Sequence, residues 1–153
     1  MIVNTLQEFY CFFQKGKIIL AIDYGSKKIG LALSDPNFTL SMPYKLLNDE
    51  SEKNKVSQII NIINEKNVCA IVIGMPFNMD GTQSSQHPTI MKFTNKILGQ
   101  INIPIFFQDE RLTSKNANNF LKSFNIKRKD RNKVDDLTAA SMILETILNG
   151  YSQ

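Results

Sequence analysis

Two kinds of hydrophobic run alternate along the chain. Lys17–Asp23 (KIILAID) is an unbroken apolar run ending in a charge, the pattern of a strand buried on both faces. Tyr24–Lys28 reads as a tight turn, with Gly25 expected to supply a positive φ, and Ile29–Ser34 as the second strand of a hairpin. Ser41–Leu47 is a weaker third strand, marked as an edge by Pro43. Glu50–Lys66 then changes period: Val56, Ile59, Ile60, Ile62 and Ile63 make a helical stripe with Lys, Asn and Glu opposite. Val68–Ile73 is a β-branched strand, and Gly74–Pro88 a loop punctuated by Gly74, Pro76, Gly81 and Pro88. Thr89–Gln100 is helical with Ile90, Phe93, Ile97 and Leu98 inward, Ile103–Gln108 is a fifth strand, and Thr113–Ser123 is a polar helix. Asp136–Leu148 closes the chain as a helix that buries Leu137, Ala140, Ile143, Leu144 and Ile147. Ahead of all these, Leu6, Phe9, Tyr10 and Phe13 give residues 5–14 helical spacing, a short amphipathic helix whose aromatics dock on the body.

This order predicts an α/β fold: a five-stranded mixed sheet, an antiparallel meander followed by parallel strands, with helices on both faces. The predicted domain spans residues 17–150, preceded by a helical extension over residues 1–16. A chain of 153 residues fits one domain, and a chain of that size buries about 68–70% of its unfolded surface without needing a staple.

Composition then narrows the chemistry. Cys11 and Cys69 stand far apart and His87 is the only histidine, so a zinc cluster of N and S ligands is excluded, as is a triad not built on His87. No run reaches the ~20 apolar residues of a membrane span, and Met1–Lys17 lacks the features of a signal peptide, so a cytoplasmic protein with reduced thiols is expected. The net charge of +4 is unevenly placed. Lys122, Lys127, Arg128, Lys129, Arg131 and Lys133 face only Asp130 within residues 122–133, a local +5 that leaves the rest of the chain near neutral. Such a segment suits a polyanionic partner, or is only a solvated loop.

Three acids stand at telling places. Asp23 ends the first strand, Glu110 follows the fifth, and Asp136 opens the last helix. Singly, each has a plainer role: Asp23 capping the turn into Gly25, Glu110 pairing with Arg111, Asp136 as an N-cap. Together at one end of a sheet, where α/β folds collect their ligands, they would repel unless a cation neutralised them. Oxygen ligands favour Mg²⁺ or Mn²⁺. Gly25 and Gly30 have P-loop spacing, but Leu31-Ala32 follows where Lys and Ser/Thr are required. The turn still offers Lys27, Lys28 and backbone N–H groups beside Asp23, a surface a phosphate can approach.

Four segments are specific enough to compare with a family: AIDYGSKKIGLALSD (21–35), IVIGMPFNMDGTQSSQ (71–86), FQDERLTS (107–114) and DDLTAASMILE (135–145). In order and in register, they resemble the YqgF/RuvX family of small bacterial proteins, described as pre-16S rRNA nucleases or Holliday junction resolvases of RNase H-like fold. The match covers about residues 17 to 149. The resemblance implies Asp23, Glu110 and Asp136 as a catalytic, metal-binding triad for Mg²⁺ or Mn²⁺, two ions about 3.5–4 Å apart clamping the attacking and leaving oxygens. Strand alternation lets only one of Asp109 and Glu110 enter the site, and the pattern does not say which; Asp135 is likewise a neighbour of Asp136. Arg111, Lys27 and Lys28 would neutralise phosphates, and Lys127, Arg128, Lys129, Arg131 and Lys133 would hold the nucleic-acid backbone without reading sequence. The implied function is an endonuclease maturing the 5′ end of pre-16S rRNA in ribosome biogenesis. The alternatives are a resolvase of branched DNA and an RNA-binding module that does not cut. A monomer or weak homodimer is expected, with nucleic acid as partner and no membrane.

Overall fold

The apolar runs become strands and the helical stripes become helices in the computed structural model, which describes residues 1–48, 51–112 and 128–151, with backbone alone for residue 112 and residues 128–138. In chain order the elements are β1 (Ile2–Val3), α1 (Leu6–Tyr10), β2 (Ile18–Tyr24), β3 (Ile29–Ser34), β4 (Ser41–Leu47), α2 (Glu52–Glu65), β5 (Val68–Met75), α3 (His87–Leu98), β6 (Ile105–Asp109), a 3-10 turn (Glu110–Leu112) and α4 (Arg128–Tyr151). The strands form one sheet in the order β1-β6-β5-β2-β3-β4. Strands β2, β3 and β4 are the expected antiparallel meander, and β5 and β6 add in parallel beside β2.

The sheet has six strands rather than five. Ile2–Val3 pairs in parallel with β6 through Ile2↔Ile105 and Val3↔Phe106. A two-residue strand is too short to carry a period, so nothing in the pattern marks it. The segment that follows is held by aromatic packing. Phe9 is fully buried and stacks on Phe106 at 5.4 Å, Phe13 lies 4.9 Å from Phe38 and 4.7 Å from Tyr151, and the Tyr10 hydroxyl donates to the Ile147 carbonyl of α4 at 2.7 Å. Phe9→Ala is expected to cost about 3–5 kcal/mol, read as a lowered midpoint of urea unfolding.

Both faces of the central strands are buried, and side-chain size divides them. Leu20, Ile22, Leu31, Ile71 and Ile73 pack with Val56, Ile59, Ile90 and Phe93 of α2 and α3. Ala21, Ala32, Ala70 and Val72 pack with Ala140, Ile143 and Leu144 of α4. Small residues under α4 let the helix approach the sheet closely. Since successive side chains of a strand alternate, Asp23 continues the row of Ile19 and Ala21 on the α4 side, and Gly74 continues that of Ala70 and Val72.

Three expectations change. Gly25 does not have a positive φ; among glycines that conformation belongs to Gly16 and Gly81. What demands a glycine at 25 is crowding, since a Cβ there would lie 2.6 Å from the Lys28 carbonyl oxygen. Strand β5 runs on to Met75, so Gly74 belongs to the strand and not to the loop. The last helix begins at Arg128 instead of Asp136, which removes the N-cap role for Asp136 and puts Arg128, Lys129, Arg131 and Lys133 on helical backbone. The expected helix over Thr113–Ser123, with Lys122 and Lys127, lies outside the described residues. No helix among the described residues is long and apolar enough to cross a membrane.

Candidate active site

The carboxyl ends of β2 and β5 and the 3-10 turn after β6 converge under α4. Asp23, the penultimate residue of β2, pairs in register with Gly30 of β3. Glu110, the first residue of the turn, reaches back over β5. Its side chain occupies the space above Gly74: a Cβ at 74 would lie 2.6 Å from Glu110 Oε1 and 2.6 Å from Ile143 Cδ1 of α4. Glycine at the end of a buried strand is the signal for such a close approach. In the sequence Gly74 reads as loop punctuation and as part of the family's G-x-P loop, and neither marks the close approach of Glu110.

There the Glu110 carboxyl comes within interaction range of the Asp23 carboxyl. Two carboxylates so placed repel unless a proton or a cation lies between them. Burial pushes the Glu110 carboxyl above its usual range; the interaction with Asp23 acts against this rise, and the neighbouring Asp109 charge adds to it.

Asp109 turns the other way. It takes the Arg111 guanidinium, with Nη2 to Oδ2 at 2.7 Å and Nε to Oδ2 at 3.1 Å, and accepts the Arg111 backbone N–H at 2.9 Å. That cation holds the Asp109 carboxyl below its usual range. Of the two adjacent acids, Glu110 therefore meets Asp23 and Asp109 does not. Arg111 is committed to Asp109, and its guanidinium also lies 5.5 Å from the centre of the Phe77 ring.

Lys27 and Lys28 are exposed on the turn beside Asp23. The turn is anchored from beneath by Lys55 of α2, a buried lysine whose Nζ donates to the Lys27 carbonyl at 2.8 Å. Tyr24, next to Asp23 but on the opposite face, donates its hydroxyl to Glu52 Oε1 at 3.0 Å, and Lys96 of α3 donates to Glu52 Oε2 at 2.7 Å. Burial, then the Glu52 partner, pushes the Tyr24 hydroxyl up to about 12. These contacts tie the end of β2 to two helices. No periodicity reveals them, because Lys55 and Glu52 look like ordinary solvent-facing helix residues.

Among the described residues, no group of three or more His, Cys, Asp or Glu side chains is arranged to hold a metal. The side chains of Asp136, Arg128, Lys129, Arg131 and Lys133, and all of Lys127, lie outside the described residues, so the structure brings together two of the three acids read from the sequence.

The family model described as "RuvX: Holliday junction resolvase" matches residues 17–150. The chain belongs to this family. Relatives named "Putative pre-16S rRNA nuclease" include one from Rickettsia typhi, 50% identical over 153 residues, covering 100% of this chain and 98% of the relative. Another, from Rickettsia bellii strain OSU 85-389, is 48% identical and covers 100% of this chain and 99% of its own length. Among solved structures, the Fowlpox virus resolvase bound to Holliday junction DNA aligns with a TM-score of 0.56 at 14% identity, over 89% of this chain and 99% of that one. The Thermus thermophilus RuvC bound to a Holliday junction substrate aligns with a TM-score of 0.56 at 10% identity, over 88% of this chain and 94% of that one. At such identities the likeness concerns the fold alone: the RuvX-family chain has the RNase H-like sheet of these resolvases.

Proposed function

We propose that this RuvX-family protein is a metal-dependent endonuclease that hydrolyses phosphodiester bonds, with the 5′ end of pre-16S rRNA as its target. The observation that carries the reading is the Asp23–Glu110 pair, two carboxyl groups brought together in a half-buried site at the carboxyl end of the sheet, with Glu110 seated over Gly74. The names of the full-length rickettsial relatives favour ribosomal RNA as substrate.

The donor set fits Mg²⁺ or Mn²⁺. It is all oxygen, and it sits in a cradle that only glycine at 74 leaves open. Asp23 and Glu110 would hold the ions. Asp136 is the third candidate ligand, because it stands four residues before Ala140 and seven before Ile143 in α4, a spacing that follows one helical face. When bound, such ions supply a water acidic enough to attack at neutral pH and offset charge on the leaving 3′ oxygen.

The chain's own groups do the rest. Asp23, set on β2 between two paired strands, fixes one wall of the site. Glu110, set over Gly74, would bind the ion through its carboxylate. Lys27 and Lys28 neutralise flanking phosphates from the turn. Arg111 keeps Asp109 out of the site and shapes the adjoining loop. The basic residues Lys127, Arg128, Lys129, Arg131 and Lys133 hold the nucleic-acid backbone by salt-sensitive attraction. A monomer working in the cytoplasm suffices for this chemistry.

The family's description supports a second reading, resolution of branched DNA, which calls for a symmetric dimer. Incubating the protein and Mg²⁺ with a precursor 16S rRNA fragment and with a four-way DNA junction separates the two. Cutting of the RNA by a monomer is expected. Cutting confined to the junction, by a dimer, would replace the rRNA reading with the resolvase one.

A further inference from the structure

One apolar side chain stands out on the loop that leaves β5. Met79 is 95% exposed, and it caps a small, stiff hairpin that leaves the end of β5. The hairpin closes through an antiparallel bridge between Phe77 and Gln83. Inside it, Asn78 N–H donates to the Thr82 carbonyl and Gly81 N–H to the Asn78 carbonyl, each at 2.9 Å. Gly81 takes a φ of 88°, which suits glycine. The Asn78 amide donates to Thr82 Oγ1 at 2.9 Å, and the Thr82 hydroxyl donates to Asp80 Oδ1 at 2.6 Å. Arg111 then fastens the hairpin to the site: its guanidinium lies against Phe77 and within 3.5 Å of the Asn78 carbonyl oxygen, while its backbone follows Glu110 directly.

Scattered exposed apolar residues are ordinary, and Met79 differs from them in two ways. Among the described residues it stands at the apex between Asn78, Asp80, Gly81 and Thr82, all exposed, and these add no apolar patch around it for a protein partner to cover. The residues on either side of it, Asn78, Asp80, Gly81 and Thr82, are tied together by four hydrogen bonds, so Met79 is presented at the apex of a hairpin that Arg111, the residue after Glu110, holds. A single unbranched apolar side chain on a rigid polar support is what parts a base step: proteins that kink nucleic acid insert Met, Leu, Ile or Phe between bases.

We propose that Met79 is a wedge: it enters the base stack of the bound nucleic acid and opens one step, turning the adjacent phosphodiester toward the Asp23–Glu110 pair. This rests on the nuclease reading above for its substrate class. The neighbouring Asp80 carboxylate accepts from Thr82 and faces the Arg111 cation, which offsets part of its charge.

The test reads unstacking without cleavage. Full-length protein, free of divalent metal, is titrated onto stem-loop fragments of precursor 16S rRNA, each with one 2-aminopurine at a successive stem position. The same scan is run on a four-way DNA junction, which tells which nucleic acid supplies the step. Fluorescence reports loss of stacking and anisotropy reports binding. Wild type is expected to raise the fluorescence severalfold at one position, and Met79→Leu to do the same. Met79→Ala is expected to lose that rise while its affinity falls by less than about tenfold, since phosphate contacts supply most of the binding. Its melting temperature should not change, as the side chain packs on nothing. An equal rise with Met79→Ala, or no rise at any position of either nucleic acid, overturns the wedge. Loss of all binding in Met79→Ala does so too, because a wedge adds to phosphate contacts and does not replace them. A protein that unstacks its substrate but never cuts it would sink the nuclease reading and leave the wedge standing.

Discussion

Asp23→Asn is expected to lower Mg²⁺-dependent cleavage by at least about a thousandfold, since a metal site supplies several kcal/mol of barrier reduction and each 1.36 kcal/mol is tenfold. The folded state should not suffer. In the metal-free protein the Asp23 carboxyl interacts with that of Glu110 inside a site whose burial already pushes Glu110 up. An asparagine amide donates to a Glu110 carboxylate without needing a shared proton, so one source of repulsion is gone. The melting temperature of the variant without metal is therefore expected to equal or exceed that of wild type. Millimolar Mg²⁺ should raise the melting temperature of wild type and leave the variant's unchanged, because a ligand stabilises only the state that binds it. A variant that cuts normally would show that Asp23 is no metal ligand, and one that unfolds would show that its role is structural.

Gly74→Ala should be nearly as damaging, though it adds a single methyl group. That carbon would lie 2.6 Å from both Glu110 Oε1 and Ile143 Cδ1, closer than atoms pack. Either the Glu110 side chain leaves its cradle or α4 lifts from the sheet. Overpacking of this kind costs about 1–3 kcal/mol, visible in urea unfolding. Displacing a catalytic group by about 1 Å can cost about a hundredfold in rate, so cleavage should fall by that much or more. Alanine at Gly99 is the control, because a Cβ there has nothing nearer than the Asn95 carbonyl oxygen at 3.4 Å; full activity in Gly74→Ala with Gly99→Ala unchanged would mean that Glu110 is not held where activity needs it.

Much of this was legible because the central strands are buried on both faces. A run such as KIILAID can be little else, and a charge at its end falls where the strand leaves the core, which is how Asp23 reveals itself. Glu110 was harder. Asp109 and Glu110 are neighbours, and the choice between them depends on the 3-10 turn, on Arg111 claiming Asp109, and on the space over Gly74, all of them three-dimensional facts. The start of the last helix was misread for a physical reason. Basic residues oppose the helix dipole at an N-terminus, and an Asp ahead of an apolar run looks like a cap. Lys and Arg are nonetheless good helix formers, and the helix runs back through them to Arg128. The strand Ile2–Val3 and the Lys55 anchor left no periodic trace at all. Met79 was invisible for the opposite reason: in sequence it is one more apolar residue, and only its exposure on a rigid turn sets it apart.

The most direct measurement is cleavage of a 5′-labelled precursor 16S rRNA fragment by the purified wild-type protein, with Mg²⁺ and again after EDTA. The expected result is a defined cut that needs the metal, disappears with EDTA and leaves a 5′ phosphate on the downstream product. An intact fragment under both conditions, or a cut that EDTA does not stop, would contradict a carboxylate-held metal as the source of the activity.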